Sequence, residues 1–192
     1  MVRSYTINNK ISKNIGILYK IRLNLSTQTL LKLYHALIQP CLEYCNIAAG
    51  SKYLLDRVFR KKKKVVRAIV FANWNAHTSE IFKRLHILSV NNINKLQACC
   101  CVYRAINNLL PDMFCDLFVT NSSVHSLDMH QKEKLYVIPH RLIVRKHSIK
   151  IYGIKLWNIL SQYIIESPTY FIFKKRYKRY LLDTMINMLL CC

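Results

Sequence analysis

The sequence predicts a mainly α-helical protein, and three observations lead to that fold class. Apolar residues make up 52% of the 192 positions, which is enough for a sizeable core. They recur every three or four positions through most of the chain, which is the spacing of amphipathic helices. Only 3 Gly and 4 Pro occur, so the turns that an all-β fold needs are scarce. We expect a helical bundle followed by a helical C-terminal extension with a small loop or β-hairpin insert.

Three helices are predicted in the first part of the chain. Residues 1–9 are polar and predict an irregular start, and helical spacing of apolar residues begins in the segment 10–21. Ser26 is a suitable N-cap for a second helix, which Pro40 should kink or break. A third helix is predicted over residues 54–71.

The remaining elements follow from periodicity and capping residues. Ser79 can cap a short helix, and a long helix is predicted over residues 90–110. The polar segment 119–146 contains a short β-like run and predicts a loop or hairpin. Mixed apolar periodicity returns over residues 146–164. A final helix is predicted over residues 169–190.

The third helix concentrates positive charge on one side. The 30 Lys and Arg against 9 Asp and Glu give a formal net charge of +21, which predicts a polyanionic partner, either nucleic acid or an anionic membrane surface. Val58, Val65 and Ile69 share an apolar side that can anchor the helix to a core. A solvated face is the ordinary role of such a charge run, and phosphate contact is the functional alternative. The candidate phosphate-contacting residues are Arg57, Arg60, Lys61, Lys64 and Arg67.

A second basic cluster lies in the final helix, with aromatic residues interleaved. Such rings can stack on the bases of single-stranded nucleic acid, and the alternative is packing of an amphipathic helix onto a core. The candidate nucleic-acid-binding residues in this helix are Lys174, Lys175, Arg176, Lys178 and Arg179. The interleaved rings are Tyr170, Phe171, Phe173, Tyr177 and Tyr180.

The acidic residues argue against a complete polymerase or nuclease site. Nucleotide transfer needs carboxylates that converge on a metal ion, but the acids are scattered singly and no Asp-Asp pair occurs. Only Asp112 and Asp116 share helical spacing, which is typical of acids near a helix start. Neither a glycine-rich phosphate loop nor a Ser/His/Asp arrangement is present. The sequence predicts no catalytic residues and no small-molecule substrate.

The 8 cysteines predict reduced, buried thiols. Residues 99–101 are consecutive cysteines and cannot all ligate one ion from a helix. His125 and His130 have the spacing of half a zinc finger, but no Cys-x-x-Cys precedes them. The polar N-terminus predicts no signal peptide, and the most apolar stretch, between residues 32 and 52, contains Pro40 and polar residues. We expect an intracellular protein with no metal site and no membrane span.

A series of segments begins with Lys-Ile-Ser-Lys-Asn-Ile-Gly-Ile-Leu-Tyr-Lys and includes Phe-Lys-Arg-Leu-His-Ile-Leu and Gly-Ile-Lys-Leu-Trp-Asn. In sequence and in order along the chain, these segments resemble the region after the palm in non-LTR (LINE-type, jockey-like) retrotransposon reverse transcriptases. The resemblance covers nearly the whole chain. Its segments are residues 10–20, 29–40, 42–45, 67–71, 77–78, 82–88, 153–158 and 173–181.

The chain departs from the family pattern at three places. Ala49-Gly50 stands where the family usually has Trp-Gly, and Leu160-Ser161 stands where it has Leu-Pro. Only His125 remains of a His-x-Tyr-x-Thr-Arg stretch. The family's catalytic aromatic-x-Asp-Asp motif and its endonuclease domain would lie before Met1.

The resemblance implies a truncated fragment of an RNA-directed DNA polymerase that binds template–primer RNA and DNA and is inactive alone. It implies a thumb-like helical region over residues 1–73 and a C-terminal extension over residues 74–192. No cofactor is expected, because Mg²⁺ would belong to the missing palm. Association with other parts of the parent polymerase, in a nuclear or cytoplasmic ribonucleoprotein, is also implied. The alternatives are a stand-alone basic helical nucleic-acid-binding protein and a peripheral membrane protein that uses basic amphipathic helices.

Overall fold

The computed structural model describes residues 2–48, 52–115, 117–124, 134–139, 141 and 148–190, and these are mainly helical, which confirms the predicted fold class. A 3₁₀ turn, Arg22–Asn24, follows the first helix, and a π-helical turn, Tyr34–Ile38, joins the second helix to the third. The α-helices are α1 Val2–Ile21, α2 Thr27–Leu33, α3 Gln39–Ala48, α4 Lys52–Ile69, α5 Thr78–Arg84, α6 Val90–Ile106, α7 Asp112–Cys115, α8 Asn121–Val124, α9 Ile149–Trp157, α10 Gln162–Ile165 and α11 Tyr170–Leu190.

The first helices differ from the sequence prediction at the N-terminus. The helix α1 begins at Val2, so the prediction of an irregular start over residues 1–9 is wrong. The Ser26 cap is confirmed, because the Thr29 amide donates to the Ser26 hydroxyl over 3.3 Å. Pro40 does not break the helix. The Gln39 amide instead bonds to the Tyr34 carbonyl. Through this wider turn the helix continues to Pro40, which has no amide hydrogen.

Three helices are followed, two residues after their last residue, by a residue with positive φ that is not glycine. The φ angles of Phe71, His86 and Asn108 are 55°, 52° and 53°. At each end the following amide bonds back to a carbonyl five residues earlier, over 2.7–3.0 Å, as in a Schellman motif. Glycine normally occupies this position, and here the scarcity of glycine leaves it to bulkier residues.

Two sequence-based boundaries differ from those in the structure. The helix α6 ends at Ile106, four residues before the predicted end, because the chain reverses at Asn108. The helix α5 begins at Thr78 after the N-cap His77, so Ser79 lies inside the helix and does not cap it.

The chain forms two compact units, one of residues 1–94 with 182–192 and one of residues 95–181. In the first unit, α1, α2, α3, α4 and α5 surround an apolar core. Ile11, Ile15 and Leu18 supply the contribution of α1, at the spacing that the sequence predicts. The predicted boundary at residue 73 lies in the turn after α4, inside this unit.

The second unit is built around aromatic rings. Tyr103 of α6 stacks on Phe173 of α11 with ring centroids 4.5 Å apart, and Trp157 of α9 lies 5.6 Å from Phe173. The Tyr103 hydroxyl donates to the carbonyl of buried Ser167 over 2.7 Å. These contacts join the three longest helical segments of the unit.

The insert predicted near residues 119–146 is described only in part. One antiparallel bridge pairs Thr120 with Leu135, and it is the only β pairing among the described residues. The Asn158 side-chain amide accepts from the Leu135 amide (3.1 Å) and donates to the Leu135 carbonyl (2.9 Å), as a second strand would. The Trp-Asn pair of the family resemblance thus places Trp157 in the core and uses Asn158 to hold the insert. Residues 125–133, including His125 and His130, lie outside the described residues.

The two described glycines should respond in opposite ways to alanine. A Cβ on Gly153 would lie 2.9 Å from the Val102 Cγ2 methyl, in a fully buried contact between α9 and α6. Gly16, on the exposed side of α1, has no atom within 4 Å of that position. We expect Gly153→Ala to lower the free energy of unfolding by about 1 kcal/mol, because overpacking outweighs the gain in helix propensity.

Gly16→Ala is the matched control and should raise the free energy of unfolding by about 0.5–1 kcal/mol. Urea denaturation followed by circular dichroism measures both values. A stabilising Gly153→Ala substitution would contradict the close approach of α9 to α6.

Candidate nucleic-acid interface

The helix α4 has one buried side and one basic side. Val58, Val65 and Val66 are at most 3% exposed and belong to the core of the first unit. The opposite side carries the predicted phosphate-contacting residues. We call this side the basic face of α4, defined by Arg57, Arg60, Lys61, Lys64 and Arg67.

The five residues of the basic face differ in their surroundings. Arg60 and Lys64 are exposed, one turn apart. Arg57, Lys61 and Arg67 are half-buried, and the Arg67 Nε donates to the Ala76 carbonyl over 2.9 Å. Arg67 therefore ties the turn after α4 to the helix, while Arg60 and Lys64 present their charges to solvent.

The basic face is held in place by α1. The Tyr19 hydroxyl donates to the Lys64 carbonyl over 3.3 Å, and the α1 core residues pack against the buried side of α4. From Arg57 to Arg67 the helix rises by about 15 Å. One strand of a duplex carries about four phosphates over that distance. The face is thus long enough for several contacts to one strand.

Lys62 is a residue to which the sequence prediction assigned no role. It belongs to the run of four lysines, but its side chain is fully buried in the first unit. Its Nζ donates to the Leu88 carbonyl and lies 5.8 Å from the ring centroids of both Tyr34 and Phe82. The signal was available, because Lys62 is four residues after Val58 and three before Val65, in the middle of the apolar side.

A chain of polar side chains begins at Tyr34, beside this buried lysine. The hydroxyl of buried Tyr34 donates to Gln39 Oε1 over 2.9 Å, and Gln39 Nε2 donates to Glu43 over 2.8 Å. Burial raises the pKa of Tyr34, and the neighbouring Glu43 charge adds to the effect. Tyr34 therefore stays neutral and acts as a structural donor.

The basic cluster of α11 divides in the same way. Lys174, Lys175, Lys178 and Arg179 are exposed. Arg176 instead donates to the Tyr163 carbonyl over 2.8 Å and to the Ser167 hydroxyl over 3.3 Å, with its guanidinium 4.0 Å from the Tyr163 ring centroid. Arg176 therefore fastens α11 to α10.

Core packing accounts for most of the aromatic residues of α11. Phe173 and Tyr177 are buried, and Tyr170 is half-buried beside Tyr103. Phe171 is 74% exposed and Tyr180 is 43% exposed. Phe171 and Tyr180 are thus accessible for stacking on bases. The buried rings instead pack α11 against the core of the second unit.

Cys41, Cys99, Cys100 and Cys101 are free thiols. Cys99 and Cys100 are buried, and Cys101 is half-buried. Burial raises the pKa of the Cys99 thiol to about 12 and that of the Cys100 thiol to about 11. Because the thiolate is the reactive and metal-binding form, these thiols are poor nucleophiles and poor ligands.

These buried thiols should make the protein less stable at alkaline pH. In the unfolded chain they ionise near their ordinary pKa of 9.0, whereas the folded protein keeps their protons to higher pH. Above pH 9 the unfolded state therefore binds fewer protons, and the free energy of unfolding should fall by roughly 1 kcal/mol per pH unit for each thiol.

Urea denaturation between pH 8 and pH 10 tests this expectation. The double variant Cys99→Ala, Cys100→Ala should show a shallower fall than the parent protein over the same range. Identical pH dependence in the two proteins would contradict the assignment of the effect to these thiols.

Neither a metal cluster nor a membrane span is found in the part of the chain that the structure describes. No three His, Cys, Asp or Glu side chains there lie close enough to hold a metal ion. None of the described helices has the length and apolarity needed to cross a bilayer.

No protein-family model, no curated protein and no solved structure matches this chain. The resemblance to LINE-type reverse transcriptases therefore stays a prediction. The arrangement of charge and burial on α4 and α11 is the observation from which a function is argued.

Proposed function

We propose that this protein binds nucleic acid through phosphate contacts made by the basic face of α4. The observation that carries the proposal is the placement of Arg60 and Lys64, exposed on a helix whose opposite side is locked into the core. A rigid support holds the two charges one turn apart. Such contacts fix the position of a backbone without reading base sequence.

The net charge supports a polyanionic partner. An excess of 21 positive charges attracts phosphate chains over long range and favours release of their counterions on binding. Lys174, Lys175, Lys178 and Arg179, which are exposed on α11, are proposed as further phosphate contacts in the second unit.

We further propose that the nucleic acid is a template–primer duplex of RNA and DNA. The support is the ordered resemblance to the region after the palm of LINE-type reverse transcriptases. The chain has no Asp-Asp pair to hold catalytic metal ions, so the proposed role is to hold the duplex and not to extend it. Mg²⁺-dependent primer extension by the pure protein would contradict this role.

The burial pattern favours nucleic acid over a membrane surface. A helix that binds a bilayer inserts its apolar side between lipid headgroups. The apolar side of α4 is already covered by α1 and by the core from Val58 onward, and that of α11 is covered through Leu181 in the second unit. A stand-alone nucleic-acid-binding protein without a polymerase parent remains the second candidate, since the same basic faces would serve it.

The proposal is tested by binding a labelled RNA–DNA duplex at increasing salt and measuring fluorescence anisotropy. Phosphate contacts predict that log affinity falls linearly with log salt, with a slope of about −0.9 for each contact. Vesicles of phosphatidylcholine and phosphatidylserine form the comparison. Binding to anionic vesicles without binding to the duplex would reject nucleic acid as the partner.

A further inference from the structure

Three exposed aromatic rings lie around the C-terminal end of α4, and phosphate contact gives them no role. Tyr19, Phe71 and Trp74 are 40%, 48% and 86% exposed. Exposed aromatic rings that are grouped on one surface can mark a binding site.

The Arg22 guanidinium lies near two of these rings, which are therefore neighbours on one surface. The guanidinium lies 4.9 Å from the Tyr19 ring centroid and 5.8 Å from the Phe71 ring centroid. The Tyr19 hydroxyl donates to the Lys64 carbonyl over 3.3 Å. The rings therefore adjoin the basic face of α4, beside one of its two exposed cations.

Phe71 is held in an unfavourable backbone conformation. Its φ of 55° falls in the left-handed region, which costs a non-glycine residue and is rare for a bulky one. The Ala72 amide bonds to the Arg67 carbonyl over 3.0 Å and fixes the reversal. His86 and Asn108 share this helix-ending conformation, and at Phe71 it leaves the ring 48% exposed.

Trp74 lies exposed in a turn that two hydrogen bonds stabilise. The Ala76 amide donates to the Asn73 carbonyl over 3.1 Å, and the Arg67 Nε donates to the Ala76 carbonyl over 2.9 Å. Trp74 is three residues after Phe71, so the two Cα atoms are at most about 11 Å apart. The turn therefore keeps the exposed Trp74 close to Phe71 along the chain.

We propose that Tyr19, Phe71 and Trp74 form a platform that stacks on unpaired bases of a nucleic acid whose backbone lies along α4. We call these three residues the stacking platform. Aromatic rings beside a cationic groove are the usual means of binding single strands without sequence preference. The inference rests on the proposed function and adds to it a preference for single-stranded segments, such as the overhang of a template.

A protein partner is the alternative ligand for these three rings. Charge argues against it as the first choice, because the platform includes Arg22 and adjoins Lys64, and no acidic side chain is among its contacts described above. A partner that supplies both negative charge and flat π faces fits the platform better. Single-stranded nucleic acid has both.

The test compares a labelled 12-nucleotide single strand with an abasic strand of the same length. Trp74→Leu keeps an apolar side chain and removes the aromatic ring, and Trp74→Phe keeps a ring. We expect Trp74→Leu to weaken binding of the base-containing strand about 5- to 100-fold and Trp74→Phe to weaken it much less. Neither change should affect binding of the abasic strand. The indole is almost fully exposed, so both variants should fold.

The outcomes separate this inference from the phosphate-contact proposal. If the parent protein and Trp74→Leu bind each strand with the same affinity, the stacking platform is overturned and the phosphate-contact proposal still stands. An equal loss on both strands would also overturn stacking. A parent protein that binds neither strand would contradict phosphate contact itself.

Tryptophan fluorescence gives a second readout. The chain has 2 Trp, and Trp157 is buried at 6% exposure, so a ligand that stacks on the surface reaches only Trp74. The base-containing strand should quench the emission of the parent protein and not that of Trp74→Leu. Equal quenching by the abasic strand would contradict stacking.

Discussion

Replacing Arg60 and Lys64 by glutamate should weaken binding of an RNA–DNA duplex by at least about 50-fold at 0.1 M salt. The two residues are the exposed cations of the basic face, and each phosphate contact contributes about 0.9 to the slope of log affinity against log salt. Two lost contacts change the slope by about 1.8, which corresponds to nearly two decades of affinity between 1 M and 0.1 M salt. Fluorescence anisotropy across a salt series measures both the affinity and the slope.

The matched control is the pair Lys32→Glu and Lys155→Glu, which changes the net charge by the same amount. Both lysines are exposed, on α2 and α9, and neither belongs to a proposed binding face. We expect this pair to weaken binding only modestly, with a nearly unchanged slope. If the two pairs of substitutions weaken binding equally, long-range attraction accounts for the affinity and the basic face has no special role.

Removing the buried lysine should have the largest effect on stability. We expect Lys62→Ala to lower the free energy of unfolding by about 3 kcal/mol. The substitution leaves a cavity under Tyr34 and Phe82 and removes a donor from the buried Leu88 carbonyl. Relief of the desolvation of the ammonium offsets part of this cost. Urea denaturation followed by circular dichroism measures the change.

Two further variants identify the cause. Lys62→Met fills the same space without charge and should stay within about 1 kcal/mol of the parent protein, since a well-packed apolar side chain often replaces a buried ion at little cost. Lys63→Ala removes a half-buried neighbour whose Nζ lies 4.5 Å from the Phe59 ring centroid, and it should cost less than about 1 kcal/mol. Equal effects of Lys62→Ala and Lys63→Ala would show that Lys62 is not buried in solution.

The helices follow from local patterns that the sequence carries by itself. Ile11, Ile15 and Leu18 recur at helical spacing, and burial of that stripe needs no information from elsewhere in the chain. The Ser26 cap is equally local, because its hydroxyl bonds an amide three residues later. The helical fold class and the basic face of α4 were predictable for this reason.

Element ends were less predictable, because they depend on backbone conformations that the residue type does not require. Phe71, His86 and Asn108 each adopt the left-handed conformation that usually indicates glycine, so the end of α6 was placed too late. The π-helical turn before Pro40 is a similar case, since the sequence predicts a kink or a break near Gln39 but does not specify a widened turn.

The sequence by itself determined a basic, mainly helical protein and the side of α4 that carries the phosphate-binding candidates. Tertiary structure alone decided how each cation is used. Arg60 and Lys64 reach solvent, Arg176 fastens α10 to α11, and Lys62 is enclosed beneath two rings. The physical reason is that helical spacing fixes the direction in which a side chain leaves its helix, whereas neighbours from distant parts of the chain decide whether water or protein meets it there.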